Sequence, residues 1–201
     1  MPVVGLTGGI ASGKTTVCGF FQAAGAYILD ADQMARQVVM PGEPAWQDII
    51  RHFGKGVLGT GGALDRVALG NLVFSDEAQR KILERIVHPR VRQAMNEATA
   101  RLCATQPEGL IIQDVPLLLE TGMDKELSEI IVVYLPEAIQ IKRLMARDGI
   151  SREQALSRIR AQMPMEEKRR RATMVIDNSG SLDQTRDQAM HIYGRIKAKT
   201  G

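Results

Sequence analysis

The chain has 201 residues, a formal net charge of +3, and 44% hydrophobic and 24% charged residues. That length suits one sizeable core with at most an appended lobe, and the balance is ordinary for a globular protein. No apolar run reaches spanning length and no signal-peptide pattern opens the chain, so a cytoplasmic protein without membrane contact is expected. Cys18 and Cys103 stand in no metal-ligand pattern and three histidines form no cluster, which argues for reduced thiols and against zinc. The charge is mildly basic and suits a polyanionic small substrate. Aromatic residues make up 4%, too few to suggest stacking platforms, and no nucleic-acid partner is expected.

The first predicted strand is Val3 to Leu6. It runs into Gly8-Gly9-Ile10-Ala11-Ser12-Gly13-Lys14-Thr15, which matches the phosphate-binding loop pattern G-x-x-x-x-G-K-[ST]. Glycines let the backbone curl so that N–H groups point at phosphate oxygens. Lys14 adds a positive charge for the outer phosphates, and the Thr15 hydroxyl can ligate Mg²⁺. Val17, Phe20, Phe21 and Ala24 then recur as one helix face, so the glycine loop sits between a strand and a helix, as the motif requires. A bound nucleoside triphosphate is the expectation.

Tyr27 to Leu29 reads as a second strand, ending at Asp30-Ala31-Asp32. Asp32, at the end of a strand taken to lie beside the loop's own, could accept a hydroxyl proton or hold the Mg²⁺ shell; Asp30 would point the same way in an extended chain. Either carboxylate could instead cap the following helix. From Gln33 to Gln106 no strand pattern appears, and an all-helical insertion is predicted, with a loop at Gly59 to Gly62. Pro89 should break or kink the helix there, after which Val91, Ala94, Met95, Ala98 and Leu102 trace one face.

Leu110 to Ile112 and Ile130 to Leu135 are apolar runs without alternation, as in a parallel sheet covered on both faces. Asp114 follows the first of them, where many phosphate-loop proteins keep an acidic Mg²⁺ ligand; a loop carboxylate paired with a nearby Arg is the equal alternative. Pro136 to Ala172 reads as helical, with Arg143 and Arg147 on one face. Those arginines could close over phosphates or form a solvated face. Lys168-Arg169-Arg170-Arg171 is a charge run whose role stays open; for its three arginines a solvated face is the favoured reading. Val175-Ile176 makes a fifth strand and Leu182 to Lys199 a final helix. Strand and helix alternate throughout, giving a doubly wound, Rossmann-like α/β fold with a five-stranded parallel sheet.

The motifs taken together resemble the dephospho-CoA kinase family. The resemblance rests on Gly5 to Thr15, Asp30-Ala31-Asp32 with Ala35-Arg36, Ile86 to Arg92, Val115 to Glu120, Arg143 to Gly149, Ala161 to Pro164 and Val175 to Gly180. It implies a nucleotide core (1–32, 107–135 and 173–201), a helical CoA-binding domain (33–106) and a lid (136–172). It also implies transfer of the ATP γ-phosphate to the 3′-hydroxyl of dephospho-CoA, with Mg²⁺. By position, Asp32 would be the base, and Lys14 and Arg143 would stabilise the transferring group. Gly9, Ile10, Ala11, Ser12, Gly13, Lys14, Thr15, Thr16, Arg147, Asn178, Ser179 and Gly180 would contact ATP. Asp32, His88, Arg90, Pro116 and Leu117 would contact the acceptor, and Thr15 and Asp114 would serve the metal. One departure is visible: Thr173 follows Ala172 where the family often has Asp. Another small-molecule kinase is the nearest rival reading. A nucleotide-driven switch is less favoured, because no N-K-x-D guanine-reading motif occurs.

Overall fold

A computed structural model describes residues 1–199 of the chain. Five strands form one sheet in the order β2-β3-β1-β4-β5. They are β1 (Val3–Gly8), β2 (Tyr27–Asp30), β3 (Ile111–Asp114), β4 (Ile130–Tyr134) and β5 (Met174–Asp177). Each falls on an apolar run read from the sequence, and β1, β3, β4 and β5 pair in parallel. Leu6 stands opposite Asp114 on one side of β1 and opposite Ile131 on the other.

This order corrects one expectation. The strand that leads to Asp32 does not neighbour the loop-bearing strand; β3 lies between them. A parallel crossover through α1 (Lys14–Ala23) spans a gap of one strand, and β3 fills that gap later in the chain. Position in sequence therefore misjudged adjacency in the sheet.

The helices are α1, α2 (Ala31–Gln37), α3 (Pro44–Phe53), α4 (Arg66–Ser75), α5 (Glu77–Thr105), α6 (Glu137–Asp148), α7 (Arg152–Arg160), α8 (Met165–Arg171) and α9 (Leu182–Ala198). Residues 1–29 and 99–201 make one compact unit and residues 30–98 a second.

In the first unit, Val17, Cys18 and Phe21 of α1 and Ala189, Ile192 and Ile196 of α9 pack with Val4, Leu6, Ile131, Val133 and Ile176 of the strands. Cys18 serves as a small core hydrophobe there. On β1, Gly5 leaves room for Leu118 and Leu127; a Cβ there would sit 2.7 Å from one leucine and 2.8 Å from the other. A smaller core joins α6 to α7 through Ile141, Leu144, Ala155 and Ile159. Gly149, at φ +65°, ends α6, and the Ser151–Gln154 capping box starts α7.

In the second unit, Ile49, Val57 and Leu69 form the core, packed by Phe53, Leu83 and Val87. Trp46 Nε1 donates to the Gly62 carbonyl at 2.8 Å and pins the glycine turn. Of the break or kink expected at Pro89, the break does not occur: helix α5 runs on through the proline. One missing N–H removes one helical bond. Burial of Val91, Met95 and Ala98 on the next turns holds the helix together across it.

Candidate active site

The loop after β1 closes on itself. Ser12 N–H bonds the Gly9 carbonyl at 3.0 Å, and Gly13, at φ +89°, turns the chain into α1. Ala11 sits at φ +60°, a conformation that costs a non-glycine residue about 1–2 kcal/mol. Such strain persists only where neighbours hold it, and it clusters at sites that bind.

The neighbours are specific. Asn178 Nδ2 donates to the Ser12 carbonyl at 2.7 Å, and Gln140 Nε2 to the Ile10 carbonyl at 2.8 Å. Gln162 Oε1 accepts Ile10 N–H at 2.8 Å, and Met165 Sδ accepts Gly9 N–H at 3.1 Å. Outward groups of the loop are thus satisfied by Gln140 of α6, Asn178 after β5, Gln162 before α8 and Met165 at its start. Among the described residues no protein acceptor meets the N–H groups of Ala11, Gly13, Lys14 or Thr15. Those four groups open the N-terminus of α1, where the helix dipole favours an anion.

Charged side chains surround this nest. Lys14 pairs with Asp114, which β3 brings opposite Leu6; both side chains are largely buried. Arg143, on α6, donates to the Asn178 carbonyl at 2.9 Å, and its Nη1 lies 3.8 Å from where a Gly13 Cβ would be. The structure therefore brings Lys14, Asp114, Arg143 and Asn178 together at the loop. Arg147 turns elsewhere. It bonds Asp148 at 2.7 Å, and Asp148 also takes Arg158 at 2.6 Å. The hydrogen bond between Arg147 and Asp148 lowers the carboxyl pKa and raises that of the guanidinium. Ser179 N–H bonds Asp177 at 2.9 Å, while Ser179 and Gly180 are exposed. Pro116 is half-buried and Leu117 exposed beyond β3.

In the second unit, Asp30 is the N-cap of α2: its Oδ1 accepts the N–H groups of Asp32 and Gln33 at 2.8 and 3.1 Å. The two carboxylates are thus not side by side on an extended strand, because the helix starts at Ala31. Asp32 lies in the first turn. With Arg36, Arg66, Ala35, Val39 and Leu83 it lines a cavity of about 440 Å³. His88 is exposed on α5, and Arg90 pairs with Asp48 while donating to the Ile86 carbonyl at 2.7 Å.

Sequence reasoning passed over Gln140 and Met165 among the loop's supports. Gln140 falls on the buried stripe of α6, one turn before Leu144, and a polar residue on that stripe was the available signal. Lys168 lies three residues after Met165, on the buried side of α8, although it belongs to a run of charges. The three arginines lie exposed, as a solvated face requires, but Lys168 does not. Lys168 is buried on Glu120, Arg171 bonds Asp124 at 2.9 Å, and Arg169 lies 4.9 Å from the Tyr134 ring centroid. Thr173, which stands where the family often has Asp, uses its hydroxyl to accept Ile130 N–H at 2.7 Å and donate to the Ile130 carbonyl at 3.0 Å. It thereby ties β5 to the start of β4.

The dephospho-CoA kinase family model matches residues 2–184. The chain belongs to the dephospho-CoA kinase family. A dephospho-CoA kinase of Carboxydothermus hydrogenoformans is 47% identical over 199 residues, 99% of this chain and 96% of that protein. The crystal structure of TT1252 from Thermus thermophilus is 41% identical, with a TM-score of 0.82 and 96% of each chain covered. A dephospho-CoA kinase from Campylobacter jejuni is 28% identical with a TM-score of 0.76, over 99% of this chain and 98% of that one. Shikimate kinase from Acinetobacter baumannii, 19% identical at a TM-score of 0.55 over 99% and 94%, shares the fold. Membership makes the protein an ATP-dependent kinase with a function in coenzyme A biosynthesis, built on a nucleotide-binding P-loop fold. Among the described residues no helix is long and apolar enough to cross a membrane.

Proposed function

We propose that the chain binds ATP at Gly9 to Thr16 and transfers its γ-phosphoryl group to the 3′-hydroxyl of dephospho-CoA, with Asp32, Lys14 and Arg143 as the catalytic residues. The observation that carries the nucleotide half is the strained loop, whose four open N–H groups lie beside Lys14 and Arg143. The acceptor half draws support from the cavity of the second unit. Its apolar wall suits a pantetheine arm, Arg36 and Arg66 suit a diphosphate, and Asp32 supplies a carboxylate.

In this reading the acceptor hydroxyl gives its proton to the Asp32 carboxylate, and its oxygen bonds the γ-phosphorus. The bond from that phosphorus to the β–γ bridging oxygen breaks, and ADP leaves. Lys14 and Arg143 offset the charge on the transferring oxygens. Asn178 acts through the loop: both ends of its amide are engaged, one by Ser12 and one by Thr185. His88, Arg90, Pro116 and Leu117 belong to the acceptor side.

The Thr15 hydroxyl and the Asp114 carboxylate are hard oxygen donors. No group of three or more His, Cys, Asp or Glu among the described residues could hold a metal by itself. That donor set fits Mg²⁺, which takes one or two protein oxygens and completes its shell with phosphate and water. Bound there, Mg²⁺ would neutralise phosphate charge.

The test offers ATP and Mg²⁺ with dephospho-CoA, nucleosides or nucleoside monophosphates, and follows ADP release. ADP should appear with dephospho-CoA and cease on chelation with EDTA. Asp32→Asn should lower kcat by about 10²-fold or more. Turnover of a nucleotide acceptor without dephospho-CoA turnover would make this another small-molecule kinase. Near-normal turnover by Asp32→Asn would remove Asp32 as the base.

A further inference from the structure

Lys168 is fully buried, with its side chain 0% exposed. An ammonium taken out of water must be paired and hydrogen-bonded, and a methionine would fill the same space without that requirement. The groups it holds give the cation its meaning. Lys168 Nζ lies 2.8 Å from Glu120 Oε1 and donates to the Pro116 carbonyl at 3.2 Å. That carbonyl also accepts the Thr7 hydroxyl at 2.9 Å, and Thr7 is the buried residue of β1 just before the phosphate loop. Glu120 Oε1 also accepts Met163 N–H at 3.0 Å.

The stretch from Gln162 to Lys168 is thus fastened at two places. Gln162 and Met165 hold Ile10 and Gly9 of the phosphate loop. Met163 and Lys168 hold Glu120 and Pro116 in the segment that follows β3. Pro116 stands two residues after Asp114, and Val115 N–H bonds the Leu6 carbonyl at 3.0 Å. Lys168 thus joins the segment that follows Asp114 to the stretch that holds the phosphate loop.

We propose that Lys168 is a positioning residue for phosphoryl transfer: through Glu120 and the Pro116 carbonyl it fixes the segment after β3, and with it the Asp114 carboxylate facing Lys14. The proposal rests on the reading of Lys14 and Asp114 as phosphate-side groups. Reacting groups misplaced by about 1 Å lose about 10²-fold in rate, so a loosened Asp114 segment acts on kcat.

The experiment compares Lys168→Met, Glu120→Gln and the double variant in kinetics and in melting temperature. Lys168→Met should lower kcat about 10- to 100-fold and leave KM for dephospho-CoA within about threefold. Its melting temperature should fall, because Glu120 is left without its cation, and the double variant, which leaves neither charge, should regain part of the loss. Glu120→Gln keeps an oxygen for Met163 N–H and should lower kcat similarly. The double variant should be no slower than the slower single variant, since both act through one joint. A Lys168→Met kcat within about twofold of normal overturns the proposal. So do losses that multiply in the double variant, or a kcat that recovers in the double variant in step with its melting temperature. If Lys168→Met does not fold, Glu120→Gln assayed well below its own melting midpoint decides: a slowed kcat supports the joint, and a normal kcat overturns it. If the unaltered protein turns over a different acceptor, the proposed acceptor fails, and the same kcat comparison is read with that acceptor.

Discussion

Replacing Asn178 with alanine separates a residue that touches nucleotide from one that holds the loop. The Asn178 side chain is buried between Ser12 and Thr185. Its Nδ2 donates to the Ser12 carbonyl at 2.7 Å and its Oδ1 accepts the Thr185 hydroxyl at 2.8 Å. Thr185 keeps a second acceptor, the Ser181 carbonyl at 3.1 Å, so alanine leaves one group without its partner, the Ser12 carbonyl. The lost bond to Thr185 is worth about 1 kcal/mol and the orphaned carbonyl about 1–3 kcal/mol, together about 2–4 kcal/mol. At this chain length each kcal/mol moves the midpoint about 2–4 °C, so melting should fall by roughly 10 °C without any nucleotide. KM for ATP should rise as well, because the released loop no longer presents its N–H groups together. Differential scanning calorimetry of the nucleotide-free protein, followed by ATP titration, checks both. Asn178→Asp should be no better than alanine: it keeps the Thr185 acceptor but sets a carboxylate against the Ser12 carbonyl. An unchanged melting temperature combined with a raised KM for ATP would refute the reasoning and make Asn178 a direct nucleotide contact.

Two further perturbations probe the same unit. Gly13→Ala forces a Cβ at φ +89° and into the Asn178 amide; the backbone alone costs about 1–2 kcal/mol. Nucleotide affinity by calorimetry should collapse, and partial recovery in the Asn178→Ala background would show that the collision is the cause; normal affinity in Gly13→Ala would sink the idea. Tyr134 donates to Glu166 Oε1 at 2.5 Å, and that bond is the main reason its pKa is raised above the usual value near 10.0. The folded state then holds the proton at pH values where the unfolded state has released it. The stabilisation is complete below the ordinary tyrosine pKa and is lost as pH rises through the folded-state value. Urea melts of the unaltered protein and Tyr134→Phe should therefore converge as pH climbs past about 10, and a constant gap would contradict this.

The parts of the fold legible in the sequence are those where local chemistry leaves one solution. An apolar run, a glycine loop ending in Gly13-Lys14-Thr15 and an amphipathic helix can be read without knowing the rest of the chain, and β1, the loop and α1 are found there. The Asp30 cap is equally local, since its acceptor reaches only two and three residues ahead. Sheet order is not local. Nothing between Gly8 and Tyr27 shows that a strand from much later in the chain will come between β1 and β2. The passage of α5 through Pro89 is decided by the burial of Val91 and Met95 rather than by the proline.

The charge run shows the same limit at the site. Lys168, Arg169, Arg170 and Arg171 read alike as letters, but a seven-residue helix sends them in different directions. Lys168 follows Met165 by three residues and is carried inward with it, where Glu120 and Pro116 wait on a segment from far earlier in the chain. Arg169 reaches the face of Tyr134, and Arg171 reaches Asp124. A charge on the buried side of a helix is costly to place, so its partner is the informative observation, and only the folded chain supplies the partner. With a methionine in place of Lys168, the helix would pack equally well on apolar grounds. The lysine adds what a methionine cannot, a charged hydrogen-bonded joint to Glu120 and to the Pro116 carbonyl in the segment after Asp114.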